Sequence, residues 1–393
     1  MKKDFNKLKG TIERTIANYW LKENPYCGLS TSMIKDRISE KNLTIERLNK
    51  IAEILKKNLK ISTRKINKDL WVYPKEKLLR KFDRSSYESV GKYVKQLRKG
   101  GSQIELRFFK RQVLDRYRDD PCYNLRDDGF SGHLSIRDEL YLDPKFSQQD
   151  KISIQSFGPA YLKDGTRIIT VILKDLGRLS IKHQNYWDSF EIEDRCLVDK
   201  DFYDQNFKGE WVDRISPFTA ILQELKEINK LCELIGEPNL FLKTWDELPV
   251  SFSWMTKSTE REFENLANIL NKLIIENLNK KFFKGKIPLK DPVTKDHKGT
   301  ISLLNEYLKK FFNPLDQKPI DEMIVTFSKI RKIRKSPAHK VKEDKFDSVI
   351  QKKETDLIFK TYGGLNILRQ IFMLHPLAKK YSPPKWLEEA KIA

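Results

Sequence analysis

From residue 259 to residue 375 apolar residues recur at helical spacing between short polar connections, and this pattern confines the C-terminal third to packed helices. Thr259 and Glu262 form a capping box, and Phe263, Leu266, Leu270, Leu273, Ile274 and Leu278 make one stripe of a helix over 259–279. Further helices are predicted over 300–312, 320–335 and 343–375, the last stopped by Pro376. Four helices with short to medium connections predict a four-helix bundle in residues 255–393. Upstream, Ser216-Pro217 is a cap followed by proline at the first helical position. Phe218, Ile221, Leu222, Leu225, Ile228, Leu231 and Leu234 then recur until Gly236, inside a helical connector over 201–254.

The rest of the chain has two characters. Residues 101–200 alternate polar and apolar positions in IELRFF, HLSIRDELYL and KISIQSF. Ala160-Tyr161-Leu162 and Arg167 to Leu173 flank Asp164-Gly165 as a hairpin, and Leu179-Ser180-Ile181 is a candidate third strand. Residues 1–100 read as a mainly helical segment. Ser32 and Thr44 stand as candidate caps, and Leu48, Ile51, Ala52, Ile54, Leu55 and Leu59 follow at helical spacing. Two such helices fit a helix-turn-helix or any small helical bundle, and LWVYPKEKL reads as an extended connector. The expected fold is α+β and mainly α: a helical N-terminal segment, a small central β-sheet and a C-terminal bundle.

Composition narrows the partners. Seventy-six Lys and Arg oppose 55 Asp and Glu, a net charge of +21, and such a field concentrates polyanions. Hydrophobic residues at 39% suffice for real cores. No apolar run reaches the ~18 residues that cross a bilayer, and the basic N-terminus lacks the apolar stretch of a secretory signal. Cys27, Cys122, Cys196 and Cys232 stand apart, as reduced thiols in a cytoplasm do. The expectation is a cytoplasmic nucleic-acid protein with RNA as partner and no membrane contact.

Chemistry concentrates after the third helix of the bundle. Met323, Phe327, Ile330 and Arg334 share one side of it, so Arg334 follows the apolar stripe and needs an anion, a helix end or a cleft. Pro337 breaks the helix at Ser336, and Ser336 can cap a new turn that holds His339 near its positive end. A fixed Arg and His suit metal-free RNA cleavage, His339 moving the ribose 2′-OH proton and Arg334 stabilising the phosphorane-like transition state. Lys329, Arg331, Lys332, Lys335, Lys340 and Lys342 surround the pair. Arg331, Lys335, Ser336 and Lys340 are the candidate substrate-binding residues. A solvated face explains such a patch equally well.

The stretch Arg334-Lys335-Ser336-Pro337-Ala338-His339 resembles the R-x4–6-H motif of the HEPN superfamily of all-helical ribonucleases, over about residues 255–380. The resemblance implies a homodimer that pairs two motifs in one cleft. It further implies metal-independent cleavage leaving a 2′,3′-cyclic phosphate, no cofactor, and a toxin or phage-defence setting with a partner protein or antitoxin. Where the family often has Asn, Asp or His after the arginine, this chain has Lys335. Three other pairs share the spacing: Arg126 with His133, Arg178 with His183, and Arg369 with His375. Two of these fall in a loop or between strands, and the third encloses an apolar stretch that suits core packing.

Other features carry less. Lys280 to Lys286 mixes Lys with Phe282 and Phe283, as a base-stacking surface or a helix-end core would. Lys92, Lys95, Arg98, Lys99, Arg107, Lys110, Arg111, Arg116 and Arg118 form a second basic region. Asp119/Asp120 and Asp127/Asp128 are weak metal candidates, and no metal ligand is assigned. The expected function is an RNA endonuclease. The alternative is a non-catalytic nucleic-acid-binding or regulatory subunit of a defence complex, using the N-terminal helices.

Overall fold

The computed structural model describes residues 2–23, 28–38, 43–67, 69–82, 90–98, 101–211, 214–312, 316–334, 345–388 and 392. The chain is α+β and mainly helical. It divides into two compact units: Met1–Phe108 with Ser135–Gln155 and Val171–Ile192, and Phe109–Leu134 with Ser156–Thr170 and Glu193–Ala393.

The first unit opens with α1 (Lys2–Asn18), β1 (Leu29–Ser30), α2 (Thr31–Arg37), α3 (Ile45–Lys57), β2 (Ile61–Ile66), β3 (Asp69–Pro74) and α4 (Glu76–Phe82). Its three strands pair antiparallel in the order β1-β3-β2. Leu8, Ile12 and Ile16 of α1 share one core with Ile34, Leu48, Ile51, Leu55, Ile61 and Val72. Helix, strand, two packed helices and a hairpin, here called the wing, follow in that order. Residues 1–100 are mainly helical as expected but also carry these three strands, and LWVYP lies in strand β3 instead of a connector. Ile66 pairs with Asp69, which leaves a two-residue connection, and Asn67 takes the left-handed φ of 54° that such a turn needs. Thr44 caps α3 as expected, accepting from the Arg47 amide. The cap of α2 is Ser30, not Ser32; the Ser32 hydroxyl instead donates to Asp69 at the foot of the wing.

A second sheet follows the order β5-β6-β7-β8-β4-β9, with β10 on β7. Its strands are β4 (Leu106–Phe109), β5 (Tyr123–Asp127), β6 (Gly132–Ile136), β7 (Ser153–Tyr161), β8 (Arg167–Ile172), β9 (Glu191–Ile192) and β10 (Leu197–Val198). The β7–β8 hairpin turns where the sequence placed it, with Gly165 at φ 83°. Leu179-Ser180-Ile181 is not a strand. Ser180 caps α5 (Ile181–Asp188), accepting from the His183 amide.

The second unit contains α6 (Pro217–Leu234), α7 (Glu260–Leu270), α8 (Thr300–Phe311), α9 (Lys318–Arg334) and α10 (Ser348–Met373). Ser216 caps α6, Pro217 sits at its first position, and Gly236 at φ 74° ends it. Thr259 caps α7, which runs into a π-helical turn over Asn271–Ile275. Phe263, Leu266, Leu270, Leu273, Ile274 and Leu278 are all buried, as their spacing required. Fully burying one such side chain stabilises by about 1.5–3 kcal/mol, so a shared stripe is what binds the helices. Helix α6 lies in this same core and packs on α10, so the segment expected as a connector belongs to the helical unit. Beneath them Arg369 of α10 pairs with Glu224 of α6 at 2.8 Å, both almost fully buried.

Candidate nucleic-acid interface

Helix α9 turns Met323, Phe327 and Ile330 inward and ends in Arg334 at the surface. There the guanidinium finds its anion: Nη1 pairs with Oε1 of Glu276, just past the end of the π-helical turn, with both side chains more than two-fifths exposed. Arg331 lies half-buried with Nη1 only 2.9 Å from where a Cβ on Gly299 would stand, so a glycine there gives the guanidinium room. Lys329 is shared with Asp356 of α10 at 3.7 Å. His339, Lys335, Ser336, Lys340 and Lys342 lie outside the described residues, as does the expected helix break at Pro337.

The rival pairs have other occupations. Arg369 is held in the buried pair with Glu224, and His375 caps a 3-10 turn by accepting from the Leu377 amide. His183 is fully buried, with Nε2 3.2 Å from the Asp150 carbonyl oxygen. Arg126 is largely exposed, 3.9 Å from Glu247. Phe282 and Phe283 form no stacking surface. Both are fully buried and edge-to-face, with Lys286 3.8 Å above the Phe282 ring.

Much of the second basic region is tied inward. In the first unit, Lys92 and Arg107 each reach Glu191 at 2.6 Å. In the second, Arg111 is buried against Asp127 and donates to the Met255 carbonyl at 3.2 Å. Arg118 donates to Ser253 there, and Arg167 pairs with Glu354 at 2.9 Å while stacking 3.9 Å over Trp254. Lys99 lies outside the described residues. Asp127 is thus the partner of an arginine, and among the described residues no group of three His, Cys, Asp or Glu could hold a metal ion.

Free positive charge gathers instead on the winged unit. Residues 1–82 contain 21 Lys and Arg against nine Asp and Glu, so +12 of the net +21 falls in about a fifth of the chain. Lys7 and Arg14 of α1, Arg64 and Lys65 of β2, Lys75 just before α4 and Lys77 in its first turn are exposed. Exposed Arg64 stands opposite half-buried Trp71 in the hairpin register. The frame beneath is set by Glu13 of α1, only 2% exposed, which accepts from Lys60 at 2.6 Å and Lys81 at 2.7 Å. Burial pushes the Glu13 carboxyl up, but its bonds to Lys60 and Lys81 outweigh this and hold it below the usual range. Glu13 therefore stays ionised and fastens the turn before β2 and the end of α4 to α1.

Residue-level reading missed this surface as a wing because ISTRKI is short, polar and charged. The local charge count and Asn67 between two β-prone runs were its signals. No described helix is long and apolar enough to cross a membrane. Comparison with protein-family models, curated proteins and solved structures gave no match to the chain.

Proposed function

We propose that this protein is a nucleic-acid-binding effector whose N-terminal unit docks on duplex DNA. Helix α3 enters the major groove and the β2–β3 wing lies along the backbone. One observation carries the reading: a helix-turn-helix with a wing and a net charge of +12 occur in the same 82 residues. The major groove of B-DNA admits a helix, whereas that of A-form RNA is too narrow for side chains to read. The test is the affinity of the full chain for duplex DNA, duplex RNA and single-stranded RNA across a salt series. Duplex DNA should bind best. Arg64→Glu with Lys65→Glu should weaken binding and flatten the log–log salt slope by about 2, one unit per lost phosphate contact. Equal binding of the double variant and wild type rejects the wing as contact surface.

A second reading supplies an activity. We infer that the helical unit cleaves RNA without metal, Arg334 stabilising the transition-state charge and His339 moving the 2′-OH proton, as the HEPN resemblance implies. Arg331, Lys335, Ser336 and Lys340 would hold the substrate backbone. The supporting observation is that Arg334 ends its helix in solvent, held by one exposed carboxylate that a phosphate can displace. Homodimerisation through the helical unit and capture by a partner protein or antitoxin belong to the same reading. The check is total RNA incubated in EDTA with wild type and His339→Ala. Wild type should cut and leave a cyclic phosphate, and the variant should be inert. Equal cutting by both removes His339 from the mechanism.

A further inference from the structure

The basic field of the winged unit is not spread evenly. On α3, Leu48, Ile51, Ala52 and Leu55 face the core. Diametrically opposite, Glu46, Lys50, Glu53 and Lys57 succeed one another at four-, three- and four-residue steps, all exposed. Among the described residues no ion pair engages Glu46, Lys50 or Lys57, and Glu53 has only a loose 3.8 Å approach from Lys56. Two carboxylates and two ammonium groups alternate along this line, with exposed Lys56 beside Glu53, within a unit of charge +12. The glutamates support the helix itself, each standing four residues before a lysine, but toward a phosphate backbone they are repulsive.

Their use follows from donor and acceptor chemistry. An ionised carboxylate only accepts hydrogen bonds and an ammonium only donates them. In the major groove cytosine offers the N4 amino donor, which Glu accepts, and guanine offers O6 and N7, which Lys approaches. At 1.5 Å per residue the four side chains span about 16 Å, the length of roughly five base pairs. We propose that the exposed face of α3 reads base edges, so that the protein prefers duplex sites presenting cytosine at the positions met by Glu46 and Glu53. Lys7, Arg14, Arg64, Lys65, Lys75 and Lys77 hold the backbone without regard to sequence. This inference rests on the duplex-DNA reading above and adds its specificity-determining residues.

The experiment uses the full chain. A random-sequence DNA duplex pool is selected on it, and affinities for the selected duplex and a scrambled one are compared at a single salt concentration. Glu46→Gln, Glu53→Gln and Arg64→Ala are then taken through the same comparison. All three positions are exposed, so the fold should survive, and circular dichroism checks this. A glutamine prefers adenine, so each Glu→Gln variant should lose preference at one C·G position by about 5- to 150-fold. Arg64→Ala should weaken both duplexes alike. Duplex binding with no difference between selected and scrambled DNA, or a preference untouched by both glutamine variants, overturns this proposal and leaves the docking reading standing. No binding to any duplex overturns the docking reading itself.

Discussion

Glu13→Gln should loosen the winged unit from its first helix. The change keeps size and shape and removes the charge that two lysines share inside a site only 2% exposed. The bond to Lys60 is the sheltered one, its side chain 22% exposed, and a charge-assisted hydrogen bond there contributes about 1.5–3 kcal/mol. Lys81 is half-exposed, so solvent screening leaves its bond about 1 kcal/mol or less. Together they give about 2–4 kcal/mol, or a 30- to 1,000-fold rise in the population of open states if the unit opens as one. Native-state hydrogen exchange read by mass spectrometry is the suitable assay, because it resolves α1, α3 and the wing from the rest of the chain. Protection should fall in those peptides and hold in α6 and α10. The sign with pH follows from the lowered carboxyl: its contribution is full above the unfolded Glu value near 4.5 and disappears as pH falls through the folded value. Wild type and variant should therefore converge in acid. Unchanged protection at neutral pH, or an equal loss in the helical unit, would refute the clamp.

Arg369→Leu leaves Glu224 buried without its cation and should lower the stability of the helical unit by about 3–5 kcal/mol in urea denaturation. Burial pushes the Glu224 carboxyl up even beside Arg369, so without the arginine it should protonate on folding, and the deficit should shrink as pH falls. Gly363 and Gly364, adjacent in α10, should answer oppositely to alanine. A Cβ on Gly363 meets nothing within 4 Å, so Gly363→Ala should stabilise by about 0.4–1 kcal/mol; on Gly364 it would stand 3.0 Å from Met323 Cγ, which should erase or reverse the gain. Paired thermal melts of the two variants decide this.

What the sequence disclosed was local. Thr259 with Glu262, Ser216 with Pro217, and Asp164-Gly165 each encode their structure within a few residues, and the helices and hairpin begin and turn where they said. Pairings between distant segments stayed hidden. Ile61–Ile66 alone does not announce a strand, and its partner β3 is completed by Leu29–Ser30, more than forty residues away. Ser30 and Ser32 are equivalent as candidate caps on paper. Asp69 decides between them by taking the Ser32 hydroxyl. The spacing that places Arg334 on the apolar stripe shows that it needs an anion, but the residue that answers, Glu276, lies 58 positions earlier.

The same distinction corrects how basic clusters should be weighed. The run from Lys92 to Arg118 holds nine Lys and Arg, yet Lys92, Arg107 and Arg111 are each bound to a carboxylate and contribute little outward field. The winged unit has its own internal claims, since Glu13 takes Lys60 and Lys81, but only nine acids oppose its 21 bases. Most of its positive charge therefore stays in solvent. A polyanion approaching such a surface is held by the exposed lysines and arginines before any side chain of α3 can test a base edge. Glu46 and Glu53 come into play only at that second stage. Attraction is already supplied around them, so on this face acceptors set beside donors serve to discriminate among partners.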